Sequence, residues 1–237
     1  MSKILITNDD GIQSDGIIRL AKAAQAFGEV WVVAPDDQRS AASHSVTLHS
    51  GISVRAVSFP VPGVHAYSCD GTPADCVRLG VLNLVPGRPD VVFSGINKGY
   101  NVAADLQYSA TVGAALEAVY QKVPAIAFSE NHEGVHEVAD EYLPRLIPEL
   151  MQKPLGEKQI WNVNFPGCPV SECPGVRYGC RVFNGDFYQD RYHAVPGPDG
   201  SISFTLEATR NWSAPEGTDL RTVLDNTVSV GTVTNIT

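Results

Sequence analysis

The chain has 237 residues, 43% of them hydrophobic and 18% charged, which describes a globular protein of one large domain and argues against a disordered or fibrous one. Seventeen basic residues against 26 acidic ones leave a net charge of −9 with no basic stripe in view, which argues against a protein that grips a nucleic-acid backbone. A small phosphorylated ligand stays compatible if a metal or backbone N–H groups supply the positive field.

In chain order, residues 3–8 form a short apolar run ending in Asn8-Asp9-Asp10-Gly11. Ile17, Leu20, Ala21 and Ala24 follow at helical spacing. Val30 to Ala34 is a second buried strand that stops at Pro35, and 35–45 is a loop of small and polar residues. Strand-like stretches lie near 52–58 and 64–69. Gly71-Thr72-Pro73-Ala74-Asp75 then opens a helix, with Thr72 as N-cap, Pro73 at the first helical position and Asp75 favourable to the dipole. Val77, Val81 and Leu84 give it a buried face.

Residues 90–94 form the next strand and 95–108 a long loop. A helix from Ser109 to about Gln121 carries a stripe of Val112, Ala115, Leu116, Val119 and Tyr120. Pro124 to Phe128 is a further buried strand. Ala139, Tyr142, Leu143, Leu146, Ile147 and Leu150 repeat at helical spacing, with Pro144 and Pro148 predicting a kink or two short helices. Strands alternating with helices imply right-handed crossovers. The expected fold is α/β, a doubly wound, Rossmann-like and mostly parallel sheet over residues 1–165. Residues 166–237 read as a β-rich extension, with turn signals at Pro166-Gly167, Asn184-Gly185 and Pro198-Asp199-Gly200. Its Val/Thr-rich tail from Asn226 to Thr237 is expected to be an edge strand that invites a second subunit. The apolar runs are shorter than the roughly 20 residues that span a bilayer. The chain opens directly on a strand without a cleavage pattern. Five cysteines is an odd count. The expectation is a cytoplasmic protein with reduced thiols.

In such a sheet, ligands bind beyond the carboxyl ends of the strands at the switch point, where the first strand lies between the second and the one at 90–94. The loops meeting there carry Asn8-Asp9-Asp10, Ser40 and Ser94-Gly95-Ile96-Asn97. Two carboxylates, a hydroxyl and an amide oxygen make an all-oxygen set suited to a Mg²⁺ or Mn²⁺ that keeps several waters. Ser109-Ala110-Thr111 opens a helix whose free N–H groups can receive a phosphate. Each piece has a plainer role as well: Asp-Gly turns, serine caps and asparagines bonded to their own backbone are common.

Together these segments resemble the SurE family. The blocks are T-N-D-D-G at 7–11, V-A-P-D-D-Q-R-S-A-A-S at 33–43, G-T-P-A-D-C at 71–76, S-G-I-N-K-G at 94–99 and Y-S-A-T-V at 108–112, with P-A-I-A-F-S, N-V-N-F-P and E-G-T-D-L further on. They keep family order over about residues 3–225. The resemblance implies a metal-dependent phosphomonoesterase acting on nucleoside 5′- and 3′-monophosphates. It implies one divalent ion per subunit on Asp9, Asp10, Ser40 and Asn97, with Asp9 or Asp10 also accepting a proton. It places Asn8, Asn101, Ser109 and Thr111 around the phosphate, and it implies a homodimer or homotetramer with exchanged C-terminal segments. Ala110 stands where the family usually has Gly.

Two other functions compete. His132-Glu133-Gly134-Val135-His136 matches the H-E-x-x-H of zinc peptidases, which needs a helix with both histidines on one face. Gly134 and the surrounding acidic residues favour a polar loop instead. The acidic pair after the first strand also suits a phospho-acceptor signalling domain, but such a domain would want a further Asp and a Lys that later strands do not supply. Cys69 and Cys76 are expected in the core, and Cys168, Cys173 and Cys180 lack metal-site spacing. His44 and His49 lie near the site in sequence. Tyr67, Tyr188, Tyr192 or Trp212 could stack on a base.

Overall fold

The computed structural model describes residues 2–235, and its architecture follows from the alternation of side chains along β1 (Ser2–Thr7). Ile4 and Ile6 face a core shared with α1 (Asp15–Ala24) and α4 (Glu137–Gln152), through Ile17, Leu20, Leu143, Leu146 and Ile147. Leu5 faces the opposite core, shared with α2 (Pro73–Leu79) and α3 (Ala110–Tyr120), through Cys76, Val77, Val112, Ala115 and Ala118. A strand apolar on both faces must be covered on both, so the helices divide between two layers.

The other strands are β2 (Gly28–Pro35), β3 (Val54–Ala56), β4 (His65–Cys69), β5 (Val91–Lys98), β6 (Ala125–Glu130), β7 (Gln159–Phe165), β8 (Val176–Cys180), β9 (Tyr188–Pro196), β10 (Ile202–Arg210) and β11 (Val228–Thr234). Nine of the strands form one sheet in the order β3-β4-β2-β1-β5-β6-β7-β11-β8, and β9 and β10 pair separately as an antiparallel ribbon. From β4 to β7 the neighbours are all parallel, the doubly wound arrangement expected, with β1 between β2 and β5. A short α5 (Asp219–Leu224) covers a third small core with Val102, Ala103 and Phe187. Among the described residues no helix is long and apolar enough to cross a membrane.

Four expectations need correction. The strand at 90–94 continues to Lys98, so the loop after it is shorter. α3 is buried nearly all round rather than on a stripe, while Tyr120 is exposed. α4 is one helix through Pro144 and Pro148, both of which lie towards its more exposed side, where a freed carbonyl can meet water. The tail is an edge only in part: β11 pairs with β7 over Ser229–Thr234 and with β8 over Val228–Gly231, so that Thr232–Thr234 are paired on one side, and residues 236–237 fall outside those described. β8 and β11 thus extend the main sheet, while β9 and β10 stand apart from it.

Candidate active site

Chain segments leaving β1, β2 and β5 meet at one end of the sheet, and hydrogen bonds join them. After β1, the Asn8 amide donates to Gly11 O (2.9 Å) and Ser14 Oγ (2.7 Å), which closes the turn leading into α1. Its Oδ1 is buried without a partner. Asp9 is 4% exposed. The Thr111 hydroxyl donates to its Oδ1, and its backbone carbonyl accepts the Arg39 N–H (2.7 Å) from the loop after β2. Among the described residues no basic side chain comes within ion-pair distance of Asp9 or Asp10, whose donors are the Thr111 hydroxyl and the Lys98 N–H. Burial pushes the Asp9 carboxyl up to about 6 against the Thr111 bond, with the Asp10 charge adding to the rise. Asp10 is half-buried and its Oδ2 accepts the Lys98 N–H (3.0 Å) at the end of β5. Burial raises it too, opposed by that bond and the Lys98 charge.

Asn97 is placed by an irregularity. The pairing of β5 with β6 shifts between Ser94 and Asn97. Gly95 sits there with φ +132°, and a Cβ on it would lie 2.2 Å from Phe128 O. Only glycine fits that backbone against β6. Asn97 donates through Nδ2 to Gly99 O (2.8 Å), which fixes the amide and leaves its Oδ1 as an acceptor. Ser40 is exposed, next to Arg39, and its hydroxyl accepts from Gln38 Nε2 (2.8 Å). Ser109 caps α3 by accepting the Val112 N–H (3.1 Å), and Thr111 in the first turn of the same helix reaches Asp9. Asp9, Asp10, Thr111 and the segments bearing Ser40 and Asn97 are therefore brought together.

Asn101 is set further in. Its Nδ2 donates to Ser129 Oγ (2.8 Å), its N–H donates to Asn164 Oδ1 (2.8 Å), and its carbonyl accepts from Asn162 and Asn164 (2.9 Å each). Asn162, Asn164 and Ser129 were not singled out in the sequence, although the alternation of Asn162 and Asn164 along an apolar strand puts both on one face. Nor was the charged group beside Asp10. Arg19 bonds Glu130 (2.7 Å) and Asp140 (2.7 Å), and His136 bonds Glu130 (2.9 Å).

The H-E-x-x-H segment is a loop, with Gly134 at φ +79° and α4 starting only at Glu137. His132 meets Arg210 (2.7 Å) while His136 meets Glu130, so they share no helix face and no metal position. Among the described residues no three His, Cys, Asp or Glu side chains gather as a metal cage. At the switch point stand the two carboxylates of Asp9 and Asp10, with Ser40 and Asn97 each one residue from a backbone N–H bonded to that pair. A cavity of about 710 Å³ opens at the opposite end of the strands beside Ser2, Val91, Pro124 and Gln159 and plays no part here. Tyr188 and Trp212 line a cleft of about 180 Å³ with Tyr100 and Phe187, whereas Tyr67 lies against Trp31.

Comparison with known proteins gives a consistent result. A family model described as "Survival protein SurE" matches residues 4–187. The chain is 40% identical over 221 residues to a 5′-nucleotidase SurE of Clostridium botulinum (strain ATCC 19397 / Type A), covering 92% of this chain and 86% of that protein. It is 36% identical over 231 residues to a 5′-nucleotidase SurE of Heliobacterium modesticaldum, covering 96% and 84%. The solved structure of a SurE protein from Aquifex aeolicus superposes with a TM-score of 0.85 at 33% identity, covering 99% of this chain and 94% of that one.

Proposed function

The chain belongs to the SurE family, and on that footing we propose that it is a metal-dependent phosphomonoesterase hydrolysing nucleoside 5′- and 3′-monophosphates to nucleoside and phosphate. The relatives' names support a nucleotide phosphomonoesterase and specify the 5′ ester. The observation that carries the site is the buried Asp9 carboxylate beside Asp10: among the described residues no basic side chain pairs with Asp9, and Asp10 feels only the more distant Lys98 charge. A carboxylate that buried is costly unless a cation or further donors compensate it. Asp9, Asp10, Ser40 and Asn97 together offer hard oxygen donors with two formal charges, which fit one Mg²⁺ or Mn²⁺.

When bound, such an ion draws charge from a phosphoryl oxygen and acidifies water. Thr111 occupies Asp9 Oδ1 and the Lys98 N–H occupies Asp10 Oδ2. Asp9 Oδ2 and Asp10 Oδ1 are then the oxygens left: one would hold the cation, and the other would take the proton of the attacking water and pass it to the departing nucleoside oxygen as the P–O bond breaks. The first turn of α3 offers its backbone N–H groups, that of Thr111 among them, and the Ser109 hydroxyl to the remaining phosphoryl oxygens, while the Thr111 hydroxyl stays on Asp9. Asn8 and Asn101 stiffen the loops on either side and are the outer members of the phosphate set.

The test is phosphate release from a nucleoside 5′-monophosphate with Mg²⁺ or Mn²⁺. Asp9→Asn and Asp10→Asn are each expected to lose about 10²-fold or more. Full activity in either variant removes the assignment. Chelation is expected to abolish turnover and added Mn²⁺ to restore it.

We further propose a homodimer or homotetramer working in the cytoplasm. What supports assembly is the unpartnered β9–β10 ribbon, with Tyr192, Ile202, Phe204 and Leu206 exposed. What supports the compartment is that all five cysteines are free thiols.

A further inference from the structure

The loop that carries Ser40 has little apolar anchorage, yet it is tied down along its length. Ala41 and Ser43 both adopt positive φ (58° and 54°). The Ser43 N–H donates to Tyr108 O (3.1 Å) and its hydroxyl to Gln107 O (2.6 Å). The loop backbone then rests on α3 at Gly113, where a Cβ would lie 2.3 Å from Ser43 O and 3.0 Å from the His44 Cα. One turn further along α3, Glu117 is 3% exposed, and its carboxylate meets His44 Nε2 at 2.8 Å. The other groups facing Glu117 are Gln121 Nε2 (2.8 Å) and, from α2, Arg78 Nε (3.9 Å). The helix that holds the loop is the same one whose Thr111 bonds Asp9.

We infer that Glu117 and His44 are positioning residues: with Gly113 they clamp the Ser40 loop to α3, so that Ser40 Oγ and Asp9 keep a fixed relation at the cation site. This rests on the assignment of Ser40 as a metal ligand. Neither side chain touches the cation or substrate. Their effect is to remove freedom from a donor on an exposed loop, as outer partners of metal ligands do.

The experiment is Mn²⁺ titration of the full chain, followed by electron paramagnetic resonance of the free ion, with phosphate release measured in parallel. Glu117→Ala and His44→Ala are expected to bind Mn²⁺ about tenfold more weakly and to recover most of kcat at saturating Mn²⁺. Glu117→Gln, whose amide oxygen still accepts from His44, is expected to bind close to wild type. Wild-type Mn²⁺ affinity in both alanine variants overturns the inference. A glutamine variant as weak as the alanine one overturns the hydrogen-bonded clamp. Asp10→Asn separates the two levels. Loss of Mn²⁺ binding there with none in the alanine variants sinks the clamp alone, whereas unchanged binding in Asp10→Asn sinks the metal site and the clamp with it. Should Glu117→Ala not fold, His44→Ala decides, because that side chain is one-third exposed (33%).

Discussion

Burying an aspartate is tolerable only when its oxygens are filled, and Asp75 shows how that condition ties two segments together. Its carboxylate accepts the Thr72 N–H (3.0 Å), closing a capping box at the start of α2, and also the Thr47 N–H (3.0 Å) and hydroxyl (2.7 Å). Burial acts to raise its pKa, but the Thr47 and Thr72 bonds outweigh it and hold the group below the ordinary carboxylate value. A depressed folded value means these bonds contribute fully above the pKa of an unfolded aspartate, about 3.9, and fade as pH falls through the lower folded value. Asp75→Ala is therefore expected to cost about 1.5–3 kcal/mol in urea unfolding at pH 7, with a smaller difference from wild type in strong acid. Ala110 gives a second test. It is fully buried as the first residue of α3, with an ordinary backbone conformation. Ala110→Gly is expected to cost about 1 kcal/mol, through the lost methyl and the freer unfolded chain, read as a lower melting temperature with turnover retained. The cap role of Thr72 was legible because it is a local relation of three residues. The bond from Thr47 to Asp75 was not, because it spans a loop that only the folded chain brings back.

Elements separate in the same way. β1, β2, α1 and α2 could be read from apolar runs and caps, since each is specified by its own residues. The end of β5 could not. Gly95-Ile96-Asn97 has the composition of a loop, and it continues as strand because β6 supplies hydrogen bonds across the register shift. The prolines of α4 misled for the opposite reason: Leu143, Leu146, Ile147 and Leu150 pack into one core and hold the helix through both of them. Much of the site followed from topology, because β1 between β2 and β5 decides which loops meet, but the supporting members Lys98, Ser129, Asn164 and Glu117 came only with the fold. Gly95→Ala tests the irregularity that presents Asn97. The variant must either leave a φ of +132° or overlap Phe128 O, so a loss of at least about 2 kcal/mol is expected. Weaker Mn²⁺ binding is expected beyond what unfolding explains. A variant that melts and binds like wild type would show that the bulge is not needed to place Asn97.

On the scale of the whole molecule, the β9–β10 ribbon is the part that a single chain leaves unfinished. Its register pairs Leu206 with Tyr192, Phe204 with Ala194 and Ile202 with Pro196, so these six share one face. The other face carries Arg191 and His193 opposite Glu207 and Thr205, with a His193–Glu207 contact of 2.5 Å. An isolated two-stranded ribbon is marginal in water, and one with Tyr192 and Phe204 each 64% exposed presents a contiguous apolar strip of the kind that marks association. β11, by contrast, is paired on both edges over its first half and offers only the short stretch Thr232–Thr234 as an edge, so the ribbon is the larger unpartnered surface. Size-exclusion chromatography with light scattering is expected to give a dimer or tetramer for the wild type. Phe204→Asp is expected to give a smaller species, since a carboxylate in that strip would lose hydration on assembly without a partner. Arg191→Ala on the opposite, polar face is expected to leave the oligomer intact. A wild-type chain that scatters as a monomer at every concentration would mean the ribbon is covered by something other than a second copy.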